Sequence, residues 1–387
     1  MTNPSTQKIW TRDFLFVFLT QIAFSSAYCT LIPTLPIYFS HVGSTEIQIG
    51  VLIGALGITS LVVRPFVGKA LLKHAEKAFM VTGILLFALG SLGYVFAFSF
   101  WLLLMARIIQ GIGSALLFTA GVTWVANASP ETRLGQSLSY YYLAFNVGFA
   151  VTPTFGMFLM NAYGFTVLFV TCAGITLCSL GLTTRLRRRP ISLPGKINPK
   201  EGSLLSRKAI PTSVMAMVNS MTWGAVTAFF PLYALTHGVS NPGLFFSVFA
   251  LMIVSGRALG GRIIDLHSRE RVILPSLVVA TAAMIILVFS KTLPLFVLVA
   301  MVWGLGHAFL FPALAAYTLE RTGSSPGPAM ATFSAFDELG MGLGSVVAGI
   351  ILRLSSYPVM FLCLALLGIL NIVYFCFFVK KRESKGL

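Results

Sequence analysis

Arg185-Leu-Arg-Arg-Arg-Pro-Ile-Ser-Leu-Pro-Gly-Lys-Ile-Asn-Pro-Lys-Glu-Gly-Ser-Leu-Leu-Ser-Arg-Lys208 is the one sizeable polar stretch in the chain, and it falls at the middle of 387 residues. Pro190, Pro194, Gly195 and Pro199 break any helix across it, and Glu201 is its only acid. Long apolar runs lie on both sides. A chain that is 57% hydrophobic and 10% charged, with mean hydropathy +0.88, cannot present a water-soluble surface, so it reads as an integral membrane protein. The basic stretch, residues 185–208, reads as a cytoplasmic linker between a first half, 1–184, and a second half, 209–387.

A net charge of +16 would point to nucleic acid in a soluble protein, but the placement of the charges points elsewhere. If the chain starts inside, all Lys and Arg except Arg107, Lys291 and Arg353 lie at loops after even-numbered spans, at their flanking helix ends or at the termini. That is the positive-inside pattern, which sets both termini in the cytoplasm of a cell-membrane protein. The basicity is topology, with anionic lipid as a contact and no nucleic-acid partner. No cleavable signal is expected, because the first apolar run is too long for one and no small-residue cleavage site follows it. The five cysteines sit in apolar runs without metal-ligand spacing, so no metal or cofactor is expected.

Twelve segments are long enough to cross about 30 Å of hydrocarbon: 12–39, 47–70, 78–98, 101–126, 133–161, 164–185, 209–236, 243–265, 271–290, 294–319, 328–353 and 357–379. External connections are very short, as at Tyr163–Gly164. An all-α bundle follows, because lipid forces backbone groups to bond within each segment. The halves also repeat. Arg64 at the end of span 2 and Arg257 at the end of span 8 are separated by the same 193 residues as Gly111 and Gly304 in spans 4 and 10. Pro36-Ile-Tyr38 matches Pro231-Leu-Tyr233 at a slightly different offset. Two six-span repeats with a solute between them is the plan of many secondary transporters.

Certain polar residues stand out within the spans. Pro33 and Pro36 bend span 1 and expose carbonyls. Arg107, three residues before Gln110 in Arg107-Ile-Ile-Gln-Gly-Ile-Gly113, costs roughly 2.5–3.5 kcal/mol in hydrocarbon unless it faces a partner or water. Gly148, Thr152 and Gly156 make a smooth seam on span 5 that Pro153 bends. Asp337-Glu338 in span 11 are the only acids deep within any span, and two adjacent carboxylates in a low dielectric suit a proton site. They point about 100° apart, and the sequence leaves open which one faces a cavity. Asp337 shares a helix face with Gly340 and Gly344. Gln21 and Tyr28 in span 1, Asn146 in span 5, Asn219 and Trp223 in span 7 and His307 in span 10 are further polar or amphipathic positions.

These features resemble the major facilitator superfamily, most closely its twelve-span drug:proton antiporters. The proline pair of span 1 is similar to theirs. The turn after span 2 keeps Arg64, Gly68, Lys73 and Lys77 of the superfamily signature but has Leu72 where an Asp belongs. The copy after span 8 is fuller, with Gly261, Asp265 and Arg269. The resemblance implies that Asp265 latches one closed state on a helix N-terminus, that Arg107 takes part in proton coupling, and that the span 5 seam belongs to an exporter. It also implies a substrate cavity formed mainly by spans 1, 4, 7 and 10, with Gln21, Tyr28, Gln110, Asn146, Asn219, Trp223 and His307 as lining candidates. The expected function is export of a small amphipathic solute by a monomer, in exchange for a proton moving through Asp337 or Glu338. Proton-coupled uptake of a metabolite and lipid flipping remain open on the same fold. An intramembrane enzyme would need a nucleophile or a His–acid pair at one depth, for which only His307 with Asp337 or Glu338 is available; no enzyme is expected.

Overall fold

The computed structural model describes residues 10–130, 133–187, 206–322 and 326–380, except the side chains of 259–266, 326 and 380. Most of the basic linker therefore lies outside the described residues. Eleven helices account for nearly everything described: α1 (Arg12–His41), α2 (Glu46–Leu71), α3 (Glu76–Phe96), α4 (Phe100–Ala128), α5 (Leu134–Thr184), α6 (Ile210–Thr236), α7 (Gly243–Leu266), α8 (Arg269–Phe289), α9 (Leu293–Thr322), α10 (Pro326–Leu354) and α11 (Tyr357–Tyr374). A π-helical turn, Phe375–Lys380, extends the last of them.

Helix α5 is two spans. Its 51 residues bend at Gly164, whose φ of 82° and ψ of 177° are non-helical. That backbone region is essentially closed to residues with a Cβ, so the short connection expected at Tyr163–Gly164 is in fact one glycine. With α5 divided there, the spans number twelve, and their ends fall within a few residues of those expected. Nine described helices are long and apolar enough to cross a bilayer by length and composition. Helix α6 is not among them, because it interleaves Thr212, Ser213, Asn219, Ser220, Thr222 and Thr227 with its apolar residues.

The described residues group into two compact units. One runs as far as Thr34 and resumes at Ile58 for the rest of the first half; the other takes Leu35–Gly57 together with the second half. In the first unit, α3 and α4 cross at Gly113, where an added Cβ would lie 2.7 Å from the Gly83 carbonyl oxygen and 2.8 Å from the Phe87 nitrogen. In the second, α8 and α9 cross at Gly306, where a Cβ would lie 3.1 Å from the Ser276 oxygen and 3.0 Å from the Ala280 nitrogen. All three residues at the second crossing lie 193 positions after their counterparts at the first. The spacing read from the sequence is thus carried by main-chain contact.

The same interval governs the polar contacts at one end of these helix pairs. Asn127 Nδ2 donates to Glu76 Oε1 at 2.7 Å, and 193 residues on, Arg269 and Glu320 form an ion pair at 2.8 Å. Lys77 Nζ donates to the carbonyls of Thr184 (2.6 Å) and Leu186 (2.7 Å) at the end of α5. Arg321 Nη1 donates to the Val379 carbonyl at 3.2 Å, the counterpart of Leu186. A cation at a helix C-terminus satisfies carbonyls that have no partner in the helix and opposes the negative end of the dipole.

Two aromatic cores fill the units. Phe24, Phe87, Tyr94, Trp124, Tyr141 and Phe169 are fully buried in the first, and Phe229, Phe230, Tyr233, Phe246 and Trp303 in the second. In the second unit α10 closes on α6 with almost no side chain between them, since a Cβ at Gly340, Gly344 or Gly224 would run into the main chain of Met217, Met221 or Met341 respectively. The crossing geometry predicts a ranking. Gly113→Ala is expected to lower the thermal unfolding midpoint of the purified protein more than Gly306→Ala, by the equivalent of about 1–3 kcal/mol for overpacking. Gly68→Ala, where a Cβ would meet nothing within 4 Å, is expected to leave the midpoint unlowered or to raise it slightly, since Ala is the better helix former by about 0.5–1 kcal/mol.

Candidate functional site

Arg107 lies on the eighth position of α4 and is 7% exposed. Its Nη1 donates to Gln110 Oε1 at 3.3 Å. The same oxygen accepts from the Tyr94 hydroxyl at 2.6 Å, and Gln110 Nε2 donates to Ser91 Oγ at 2.9 Å. Ser91 in turn donates to the Phe87 carbonyl at 2.9 Å. Gln110 is fully buried, and its side chain fills the space left by Gly90, where a Cβ would lie 2.6 Å from Gln110 Cγ. Both ends of this amide are thus engaged inside the α3–α4 pair. Among the sequence candidates for cavity lining, Gln110 is placed as the residue that holds the arginine. Tyr94 and Ser91 were not singled out from the sequence; each lies on α3 as an ordinary-looking polar residue in an apolar span.

The remaining first-unit candidates distribute along α1, α2 and α5. Gln21 is buried and Tyr28 half-buried. The Tyr28 ring stands 6.1 Å from both Phe87 and Phe118 and 6.2 Å from Phe145. Asn146 is half-buried and donates to the Tyr142 carbonyl of its own helix at 3.1 Å. The span 5 seam meets α1: a Cβ at Gly148 would lie 2.7 Å from Ser25 Oγ, and one at Gly156 2.9 Å from the Thr30 carbonyl oxygen. Pro153 is buried between these two positions. Arg64 donates through Nε to Ser60 Oγ, one turn back on α2, at 3.0 Å.

The second unit assembles a different set. Asn219 Nδ2 and His307 Nε2 lie 3.1 Å apart, joining α6 to α9. Around them, Trp223 stacks on Phe249 at 5.2 Å and stands 5.6 Å from Trp303. The His307 ring is edge-on to Phe249 (5.3 Å) and Trp303 (5.0 Å). Trp303 and Phe249 are buried, whereas Trp223, Asn219 and His307 are half-buried. A cavity of about 20 Å³ beside Asn219, Thr222, Trp303 and Asn371 has room for about one water and none for a solute.

Asp337 and Glu338 are both half-buried on α10. Ser220 Oγ on α6 hydrogen-bonds Asp337 Oδ1 in a very close contact. Asp337 therefore occupies the α6-facing side of α10 together with Gly340 and Gly344, the shared face read from their spacing. Ser220 was missed from the sequence, and only its position next to Asn219 on the least apolar span could have signalled it. Gly261 and Asp265 lie in helical backbone near the end of α7, and the side chain of Asp265 falls outside the described residues. Arg269 pairs with Glu320. Arg257 lies nine residues before the end of α7, one more than the expected span bounds give, exposed, with Nε 3.4 Å from the Ala308 carbonyl.

Comparison with known proteins agrees with this architecture. The family model described as Major Facilitator Superfamily matches residues 14–256 and again 212–387. The quinolone resistance protein NorA of Staphylococcus aureus (strain MSSA476) is 22% identical over 333 residues, covering 82% of this chain and 84% of NorA. The staphylopine export protein of S. aureus (strain Mu50 / ATCC 700699) is 23% identical over 394 residues, covering 96% and 97% of the two chains. Among solved structures, a variant of the nucleoside transporter NupG superposes with a TM-score of 0.81 at 12% identity, over 94% of this chain and 99% of the other. A peptide-transporter-family structure with bound 5-aminolevulinic acid gives 0.77 at 12% identity, over 96% of each chain. Twelve spans in two repeats that share glycine crossings, and a family model that matches both halves, give one conclusion: this chain belongs to the major facilitator superfamily of membrane transporters.

Proposed function

We propose that this transporter exports a small amphipathic solute in exchange for protons, by alternating access, from a cell membrane with both chain termini in the cytoplasm. The observation that carries the reading is the adjacent carboxylate pair Asp337–Glu338 half-buried on α10, with Asp337 gripped by Ser220 of α6. Carboxylates inside a span are costly and are retained where they carry charge or protons. Export rather than uptake is supported by a relative named for staphylopine export and another named for quinolone resistance, each matched over most of its length, and by the Gly148–Pro153–Gly156 seam on α1. One proton crossing a 100 mV potential contributes about 2.3 kcal/mol, enough to concentrate a solute some tens-fold before a pH gradient is added.

Arg107 enters this reading as the fixed cation of the first unit. Its guanidinium is oriented by Gln110, whose own position is set by Tyr94 and Ser91. Such a triangle holds a charge in place through a rearrangement, provided that every member keeps its partner.

In proteoliposomes with an imposed pH gradient, the wild-type protein is expected to drive a planar amphipathic dye against its concentration gradient, and a protonophore is expected to abolish that movement. Asp337→Asn and Glu338→Gln, made singly, are expected to differ: the carboxyl that carries the proton loses gradient-driven accumulation yet keeps dye-for-dye exchange. If neither substitution changes the pH dependence, proton exchange at this pair is wrong. Gln110→Leu leaves the Tyr94 hydroxyl, Ser91 and Arg107 without this acceptor or donor. It is expected to destabilise the protein by about 1–3 kcal/mol, read as a lower unfolding midpoint, whereas Gln110→Glu, which keeps the shared acceptor oxygen, is expected to lose less.

A further inference from the structure

Arg257 is an intramembrane cation whose setting the function above does not use. Its Nε donates to the Ala308 carbonyl at 3.4 Å, and among the described residues it has no carboxylate within ion-pair distance. Asp265 lies eight residues, about 12 Å, further along the same helix. The side chain is exposed although the residue sits in a span. The contrast with the first half is informative. Arg64, 193 residues earlier, donates to Ser60 Oγ on its own helix. The position that corresponds to Ser60 is Ile253, which offers no oxygen. The repeat has therefore kept the guanidinium and removed its hydroxyl.

Depth argues against a headgroup as the missing partner. Arg257 lies nine residues, about 14 Å, before the end of α7, and side chains on a helix lean toward its N-terminus, away from that end. Ala308, to which the arginine is tied, is the sixteenth of 30 residues in α9. Gly256 allows that approach, since a Cβ there would lie 2.8 Å from Ala308 Cβ. His307, the residue before Ala308, stands at the same level with its ring against Phe249. Arg257 and His307 thus stand at about one level of the span, and the aromatic wall of Phe249 and the half-buried Trp223 lies about 12 Å, eight residues of α7, toward the helix N-terminus, the direction in which the arginine leans. With Nε engaged, the two Nη groups of Arg257 remain in the fork geometry that takes a carboxylate with two parallel hydrogen bonds.

We infer that Arg257 is an anion-binding residue of the cargo site, and that the transported solute is an aromatic or otherwise amphipathic monocarboxylate, its acid group on Arg257 and its apolar body toward Trp223 and His307. This rests on the reading of the chain as a solute exporter and narrows it to a substrate class. An anion leaving as a proton enters moves positive charge inward twice, so an inside-negative potential favours both movements.

The test uses 1-naphthoate and 1-naphthamide, which share a ring and differ in charge, and measures binding to the purified full chain by equilibrium dialysis. Wild type is expected to bind the acid at least about tenfold more tightly than the amide. Arg257→Gln is expected to bring that ratio close to one, and Arg257→Lys to keep part of it. Ile253→Ser, which restores the hydroxyl of the first repeat, is expected to weaken the acid several-fold and leave the amide alone; it decides the matter if Arg257→Gln does not fold. An absent acid preference in wild type, a ratio that survives Arg257→Gln, or an equal loss for both compounds overturns the inference. So does loss of acid binding when the protein moves from phosphatidylcholine to phosphatidylglycerol nanodiscs, if Arg257→Gln shows no such lipid effect, because the anion would then be a headgroup phosphate. Uptake of both compounds into proteoliposomes separates the two readings: acid-selective binding without transport defeats the exporter and spares the anion site, and transport without acid preference does the reverse.

Discussion

Hydrocarbon supplies no hydrogen-bond partners, so every polar atom within a span must find its partner in protein or line a passage for water or cargo. Most of the structure follows from that constraint. Backbone groups close on themselves in helices. Side-chain hydroxyls turn back to carbonyls three or four residues earlier, as Ser91, Thr34 and Thr183 do. Larger polar groups form short closed circuits, of which Tyr94–Gln110–Ser91 is the most complete. With the hydrophobic effect removed as a force between helices, close approach has to come from shape, and main chain meets main chain at glycine crossings.

Against that background the few groups that are not closed off become informative. Asp337 reaches Ser220 across a seam where α6 and α10 meet main chain to main chain. His307 is held through Asn219 while its ring remains half-buried. Arg257 makes a single long bond to a carbonyl. All three lie in the second unit, whereas Arg107 of the first unit is enclosed. The repeats have diverged in chemistry much more than in backbone.

The fold was legible in the sequence because its signals are local or periodic. Span length, the basic linker and the 193-residue interval require no knowledge of which helix touches which. Even the face shared by Asp337, Gly340 and Gly344 follows from helical spacing. What sequence could not supply was partnership across helices. Ser220, Tyr94, Ser91 and Glu320 are unremarkable until Asp337, Gln110 and Arg269 are seen beside them. The family resemblance implies a cavity position for Gln110, and it gives no hint of the bonds that tie its amide to Tyr94, Ser91 and Arg107. Arg257 groups by repeat with the basic residues of a helix end, and its tie to Ala308 of α9 is a contact between helices that spacing alone does not give. The joint at Gly164 was read as a short loop because a positive φ leaves no trace in composition.

The carbonyls of Leu186 and Val379 are counterparts in the two halves, and each receives a cation, but Lys77 corresponds to Glu270 and Arg321 to Ala128. After duplication, then, the acceptor stayed where it was while the donor migrated from the helix that opens one pair to the helix that closes the other. An alignment of such halves would score both basic positions as variable and dispensable. The interaction itself would be invisible to any column-wise count, surviving as a property of place and not of residue identity.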